Sequence, residues 1–194
     1  DFEGYQAAGV LPLVGQWNTH TYSATTQARS QISALCKEQG IRLWMSEVGS
    51  GGSGIAGNLN LAQKLMDDIR YIMPVAWVDW QYVEEGNDQW CLVQGDFTKQ
   101  TYHKVKNYSI RQHFSKFIRP GYTFLTSLNG QTLAARNPEG DSLIIVAINP
   151  NALPVVHRAD LSFYESISNG LTALRSSETE DLSPTADYTL EDRI

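Results

Sequence analysis

Glu47 is the residue of this sequence best placed to do chemistry. It follows the largely apolar run Ile41-Arg42-Leu43-Trp44-Met45-Ser46, and a carboxylate at the end of a buried strand carries a desolvation cost unless it has a partner or a task. Such a residue either caps the loop behind it or faces a ligand, and its position alone does not separate the two. The neighbouring strand ends help to. One reads Asn18-Thr19-His20-Thr21-Tyr22 and the other Trp77-Val78-Asp79-Trp80-Gln81-Tyr82. Strand alternation sends His20 and Tyr22 to one side together, and likewise Trp80 and Tyr82. Hydrogen bonds from His20 or Tyr22 could hold Glu47 ionised and aimed, while Trp80 offers an apolar face to a sugar ring. Each has a bland alternative: a core histidine, a buried tyrosine hydroxyl, a packing tryptophan. Agreement among three successive strand ends weighs against coincidence.

A rival chemistry sits two residues further on. Gly49-Ser50-Gly51-Gly52-Ser53-Gly54 matches G-x-G-x-x-G between a strand and a helix, the place of a dinucleotide fingerprint. Glu47 would then lie beside a pyrophosphate, where like charge weakens binding. The acids about twenty residues on, Asp67 and Asp68, fall inside a helix instead of ending a second strand, so no ribose-binding acid is in place. The glycine loop is therefore read without a cofactor, and no metal-ligand spacing is present.

The elements that must position these residues follow from periodicity. Val14 to His20 reads as a strand and Thr21 to Thr26 as a turn. Ala28, Ile32, Leu35 and Cys36 share a helical face that Gly40 ends. Ile41 to Val48 is a buried strand. Leu61, Leu65, Ile69 and Ile72 mark a second amphipathic helix stopping at Pro74, and Val75 to Val83 is a third strand, with Glu84 to Gln89 as a loop. This β-α-β-α-β order implies parallel strands covered by helices, as in a barrel or an open doubly wound sheet. A further helix is expected within Gln100 to Ile118, with Val105, Tyr108, Phe114 and Phe117 buried. Beyond Tyr122 the texture changes to short strands: Thr123 to Leu128, Gln131 to Arg136, Ser142 to Asn149, Val155 to Ser162 and Leu171 to Ser176. Turns at Asn129-Gly130 and Glu139-Gly140-Asp141 join them into an antiparallel module, read as part of a sandwich. After the polar run Ser176 to Asp181 no closing strand stands out.

Composition narrows the partners. The apolar fraction is 42%, the formal charge is −6, and there are five Trp and nine Tyr. An acidic, aromatic-rich chain repels nucleic acid and suits neutral carbohydrate. Acids at 67, 68 and 79 and Arg70 interrupt the most hydrophobic stretch, so no membrane span is expected. Cys36 and Cys91 are too few for a disulfide scaffold. Asn107-Tyr108-Ser109 fits a glycosylation sequon. The first residues lack the basic and apolar regions of a signal peptide.

These residues resemble glycoside hydrolase family 30. Leu43-Trp44-Met45-Ser46-Glu47-Val48-Gly49 is similar to the family's nucleophile strand, His20-x-Tyr22 to its sixth-strand ending, and Trp77-Val78-Asp79-Trp80 to its eighth. Phe114 to Tyr122 is similar to the segment that leaves the barrel for the family's β-sandwich side domain. The resemblance runs from about Gly15 to beyond Asn149. It implies an α/β plus all-β chain: the C-terminal part of a (β/α)8 TIM barrel over residues 1–121, then an incomplete antiparallel β-sandwich side domain over 122–194. It also implies a retaining O-glycosyl hydrolase that needs no cofactor or metal, in which two carboxylates about 5 to 5.5 Å apart flank the bond. Glu47 takes the nucleophile's role, with His20, Tyr22, Trp80 and Tyr82 as substrate-binding residues. The Ser46 to Gly52 and Trp80 to Glu85 stretches look most like the endo-β-1,6-galactanase-like branch. The parent protein is expected to be secreted or periplasmic, with a carbohydrate substrate and neither a nucleic-acid nor a membrane partner.

The chain departs from the family in one respect that matters. A complete barrel takes about 250 residues, so the sequence is expected to be a C-terminal piece. The acid/base, which the family carries near its fourth strand beside an asparagine, has no counterpart before Val14. Glu84 and Glu85 read as loop acids. The chain alone is therefore expected to be inactive. Two other classes remain open: a non-catalytic carbohydrate-binding protein using Trp77, Trp80, Tyr82 and Trp90 as platforms, and a purely structural fragment.

Overall fold

The computed structural model describes residues 2–52, 54–162, 164, 166 and 171–189. After a short helix α1 (Phe2–Ala7) and a 3-10 turn at Leu11–Leu13, the chain alternates between strands and helices: β1 (Gln16–His20), α2 (Thr26–Glu38), β2 (Arg42–Val48), α3 (Ile55–Tyr71) and β3 (Ala76–Asp79). The three strands pair in parallel in the order β1-β2-β3. Thr25 starts α2 by accepting the Ala28 N–H at 3.1 Å on its hydroxyl, the usual side-chain substitute for a missing helical partner. Gly40, at φ +67°, turns the chain out of it.

One side of this sheet is covered. Leu43, Met45 and Val48 of β2 pack with Cys36 of α2, Ile72 after α3, Ile41, Phe2 and Leu11 in one apolar cluster. A second cluster joins Leu61, Leu65 and Met66 of α3 to Ile110 and Phe114 of helix α4 (Lys106–Ser115), and to Leu133, Val146 and Ile148 of the antiparallel module. The other side of the parallel sheet is open: Asn18, His20, Arg42 and Val78 are exposed there. Parallel sheets are ordinarily covered on both faces. No closed barrel is formed by the described residues, whose strands fall into four small sheets.

A buried polar knot ties helices to sheet. Asp68 of α3, 0% exposed, accepts from Arg29 Nε of α2 at 2.7 Å, from Thr21 Oγ1 just after β1 at 2.8 Å and from Trp77 Nε1 of β3 at 2.9 Å. One carboxylate thus fixes both helices and both outer strands. Arg70, also on α3, donates to the carbonyls of Asn129, Gly130 and Thr132 and so fastens the antiparallel module to the same helix.

Several expected boundaries shift. Val75 to Val83 is not one strand. β3 ends at Asp79, and Gln81 N–H turns to donate to Trp90 O. Val83–Glu85 then forms β4, parallel to β5 (Val93–Asp96), which pairs antiparallel with β6 (Thr101–Lys104). Part of the expected 84–89 loop is therefore strand, while the helix expected within 100–118 is α4, preceded by β6. Of the four positions expected to be buried there, Phe114 is, while Val105, Tyr108 and Phe117 are half-buried. The module beyond consists of β7 (Thr123–Leu125), β8 (Thr132–Arg136) and β9 (Leu143–Ala147) in one antiparallel sheet. A separate ribbon pairs β10 (Ala173–Arg175) with β11 (Ser183–Thr185). Val155 to Ser162 is not a strand: Val155 and Val156 are exposed, and Pro154 offers no N–H to a ladder. β11 has no counterpart in the sequence reading, because Ser-Pro-Thr carries no apolar alternation, and among the described residues it pairs with β10 and not with the β7-β8-β9 sheet.

Candidate active site

Glu47 reaches its position through a break in strand regularity. Against β1, Thr19 lies opposite Met45, yet His20 lies opposite Glu47. Against β3, Trp77 lies opposite Met45, yet Asp79 lies opposite Val48. β2 thus holds one residue more than either neighbour, at Ser46-Glu47, and this is a β-bulge. Strict alternation from the buried Leu43 and Met45 would carry Glu47 under the helices. The extra residue gives that inward position to Val48, which is 0% exposed, and leaves the Glu47 side chain 29% exposed.

On the open side Glu47 meets two of the expected residues. Tyr22 donates its phenol to Glu47 Oε1 at 2.7 Å, and His20 Nε2 stands 3.8 Å from Oε2, within ion-pair range but too far for a hydrogen bond. Thr21 between them points inward to Asp68, so the inner anchor turns His20 and Tyr22 outward together. Their rings meet edge-on, with centroids 6.2 Å apart. Lys64 Nζ donates to the Tyr22 carbonyl at 3.1 Å. Burial and the hydrogen bond to Glu47 push the Tyr22 phenol above its ordinary value, with the Gly49 backbone offsetting this in part. The phenol therefore stays protonated, as a donor to a carboxylate must.

Trp80 lies half-exposed beyond β3, its N–H donating to Val48 O at 3.0 Å. Its backbone and the Trp90 side chain flank Gly49: a Cβ there would meet Trp80 O at 2.5 Å and Trp90 Cβ at 3.2 Å. Trp90 is thereby brought to the loop that leaves Glu47, a proximity without a short-range signal in the sequence. Tyr82 is placed elsewhere. The chain has left the strand by then, so alternation no longer links it to Trp80, and it lines a groove with Val93, Phe97 and Tyr102. Trp77 is no platform: its indole donates to Asp68, and the Arg111 guanidinium lies 4.5 Å from its ring centroid.

Three further acids of this region, Glu84, Glu85 and Asp79, are engaged. Glu84 accepts from Gln81 Nε2 and from Trp90 Nε1, bonds that hold its carboxyl below the ordinary range. Glu85 accepts the Phe97 N–H at 3.0 Å. Arg111 donates to Asp79; burial raises that carboxyl and Arg111 opposes the rise.

The glycine loop is explained by packing. A Cβ on Gly51, at φ +138°, would fall 2.3 Å from Asn107 Nδ2, and one on Gly57 would fall 2.4 Å from Gly51 O. Asn107 is 1% exposed. Its Nδ2 donates to Gln89 O and Cys91 O, and its Oδ1 accepts from Asn58 Nδ2 at 2.7 Å. The sequon asparagine is therefore a buried clamp, out of reach of glycosylation in the folded chain. Cys36 and Cys91 are both buried free thiols, raised by burial. The described residues contain no cluster of three or more metal-ligating side chains and no helix long and apolar enough to cross a membrane.

No protein-family model matches the chain. An endo-β-1,6-galactanase of Hypocrea rufa is 29% identical over 138 residues, which is 71% of this chain and 28% of that protein. A family 30 subfamily 8 xylanase from Clostridium acetobutylicum superposes with a TM-score of 0.68 at 21% identity, over 92% of this chain and 44% of the xylanase. A family 30 endoxylanase from Clostridium papyrosolvens C71 superposes with a TM-score of 0.54 at 20% identity, over 72% of this chain and 35% of the other. The chain is similar to glycoside hydrolase family 30. It spans under half the length of each of these relatives, and the structural likeness is one of fold.

Proposed function

We propose that this chain is the nucleophile-bearing part of a retaining glycoside hydrolase acting on a β-linked polysaccharide, with Glu47 attacking the anomeric carbon. The observation that carries the reading is the Tyr22 to Glu47 hydrogen bond of 2.7 Å on the open side of three parallel strands, where a bulge aims the carboxylate. A charged nucleophile must be oriented yet accessible, and Glu47 is both. Residues 1–121 supply the C-terminal strands and helices of a (β/α)8 barrel, whose closure would cover the bare face of β1-β2-β3. Residues 122–194 supply part of a sandwich side domain. His20 and Tyr22 position the carboxylate, and Trp80 packs against the sugar.

A retaining reaction needs a second carboxyl group to protonate the leaving oxygen and then to activate water. In this reading the acid/base belongs to a part of the longer protein outside these 194 residues, and the chain by itself does not turn over substrate. The galactanase relative makes β-1,6-galactan the first substrate to test, and a polymer of that kind places the enzyme outside the cell or in the periplasm.

The test is covalent trapping in the full-length enzyme with a 2-deoxy-2-fluoro galactosyl fluoride. The fluorine slows breakdown of the glycosyl-enzyme, and peptide mass spectrometry is expected to find the sugar on Glu47. A label on another carboxylate, or galactan hydrolysis unchanged by Glu47→Gln, would overturn the assignment.

A further inference from the structure

One face of the small sheet β4-β5-β6 carries features that the Glu47 site does not use. In register across it lie Val83, Val93 and Lys104 in one row and Glu85, Gly95 and Tyr102 in the next. A groove of about 630 Å³ opens over all of these but Glu85, walled by Tyr82, Phe97, Tyr102 and Tyr108. Three of the four rings are unusually bare: Tyr82 is 60% exposed, Phe97 62% and Tyr102 77%. A contiguous aromatic patch on a polar surface ordinarily marks a binding site.

The groove has a shaped floor. Gly95 leaves room for the Phe97 ring, whose Cε1 would lie 2.8 Å from a Cβ at that position. The Phe97 backbone is pinned by its N–H donating to Glu85 at 3.0 Å. The charges in the lining are already engaged. Asp96 takes the Lys99 ammonium at 2.9 Å, and the Lys104 ammonium rests 4.6 Å from the Tyr108 ring centroid. Aromatic faces, side-chain amide and hydroxyl groups at Gln100 and Thr101, and paired charges suit a neutral ligand with flat apolar faces and a hydroxyl rim. That is the chemistry of a pyranose chain.

We propose that this groove is a second carbohydrate-binding site, which holds a stretch of neutral β-linked oligosaccharide on Tyr82, Phe97 and Tyr102. It rests on the substrate class proposed above, and its lining shares no residue with the Glu47, Tyr22 and His20 cluster. In a polymer-degrading enzyme such a site holds the chain near the reacting bond and raises its local concentration.

Titration calorimetry of the 194-residue chain with β-1,6-linked galactotetraose tests it. Binding is expected, weakened roughly tenfold or more by Tyr102→Ala and unchanged by Phe124→Ala, an exposed aromatic on β7. Circular dichroism confirms that each variant folds, and Phe97→Ser gives an independent second loss. No binding by the wild-type chain overturns the proposal. So does loss of binding in Trp80→Ala with Tyr102→Ala unaffected, or a dimer in sedimentation velocity that Tyr102→Ala abolishes, which would make the patch a self-interface. The two readings fail separately. Glu47 labelled in the full-length enzyme with no tetraose binding here removes the groove alone, whereas tetraose binding with Glu47 unlabelled removes the nucleophile assignment.

Discussion

Replacing Asp68 with alanine should unsettle both the fold and the aim of the candidate nucleophile. Its carboxylate is fully buried and accepts from Arg29, Thr21 and Trp77 at 2.7, 2.8 and 2.9 Å. Removing it leaves the Arg29 guanidinium, with a side chain 9% exposed, charged and without its ion-pair partner. Breaking one partner of a buried pair costs about 3–5 kcal/mol. Summing three charge-assisted bonds would give about 5–9 kcal/mol. The lower range is the better expectation, because Arg29 keeps its bond to the Ala24 carbonyl and solvent can enter the space left behind. With a urea slope of about 2 kcal/mol per molar, the unfolding midpoint should fall by about 1.5–2.5 M. The double variant Arg29→Met, Asp68→Leu should recover part of that loss, because it strands no charge. Freeing Thr21 also frees the segment that turns His20 and Tyr22 outward. A midpoint within about 0.5 M of wild type for Asp68→Ala, or a double variant no better than the single, would refute the view that this carboxylate organises the sheet and its helices.

Gly51→Ala should destabilise by about 1–3 kcal/mol in urea titration, since its Cβ would strike the Asn107 amide at 2.3 Å; Gly4→Ala, in α1 with open space around it, should be neutral or gain up to about 1 kcal/mol. The Glu180 carboxyl is held down to about 2 by bonds from Arg175 and Ser177. Its contribution is present above the ordinary glutamate value and lost as pH falls through the folded one, so the melting-temperature gap between wild type and Glu180→Gln should be constant above about pH 5 and close on acidification. The Tyr22 phenol is raised, so its bond to Glu47 should persist below the ordinary phenol range and fail as pH climbs through the folded value; ultraviolet titration of Tyr22→Phe should lose one tyrosine that ionises above the ordinary phenol range. Cys36 and Cys91, buried and free, should react with a thiol reagent only after denaturant is added.

Long, strongly periodic segments were legible in the sequence. The apolar spacing from Leu61 to Ile72 corresponds to α3, and Ile41 to Val48 contains β2. The pairing of His20 with Tyr22 on one side was legible because the alternation of exposed and buried residues continues through Thr21. What escaped depends on where regular backbone stops. Trp80 and Tyr82 look like strand partners in the sequence, yet the chain turns toward Trp90 after Asp79, and no local pattern announces that long-range bond. Asn107 resembles a glycosylation site because a sequon says nothing of burial, which three long-range hydrogen bonds impose. The ribbon at Ser183–Thr185 is held by its partner strand and lacks an apolar pattern of its own.

The additional residue in β2 makes the direction of Glu47 a matter of parity. Exchanging Ser46 for another small side chain preserves the count between Met45 and Val48, whereas deleting it would restore even alternation and pull an ionisable group into oil. Point changes and single-residue gaps in this stretch therefore belong to different orders of harm. Any alignment that closes a gap here by sliding one position would match a solvent-facing acid to a residue its counterpart keeps dry.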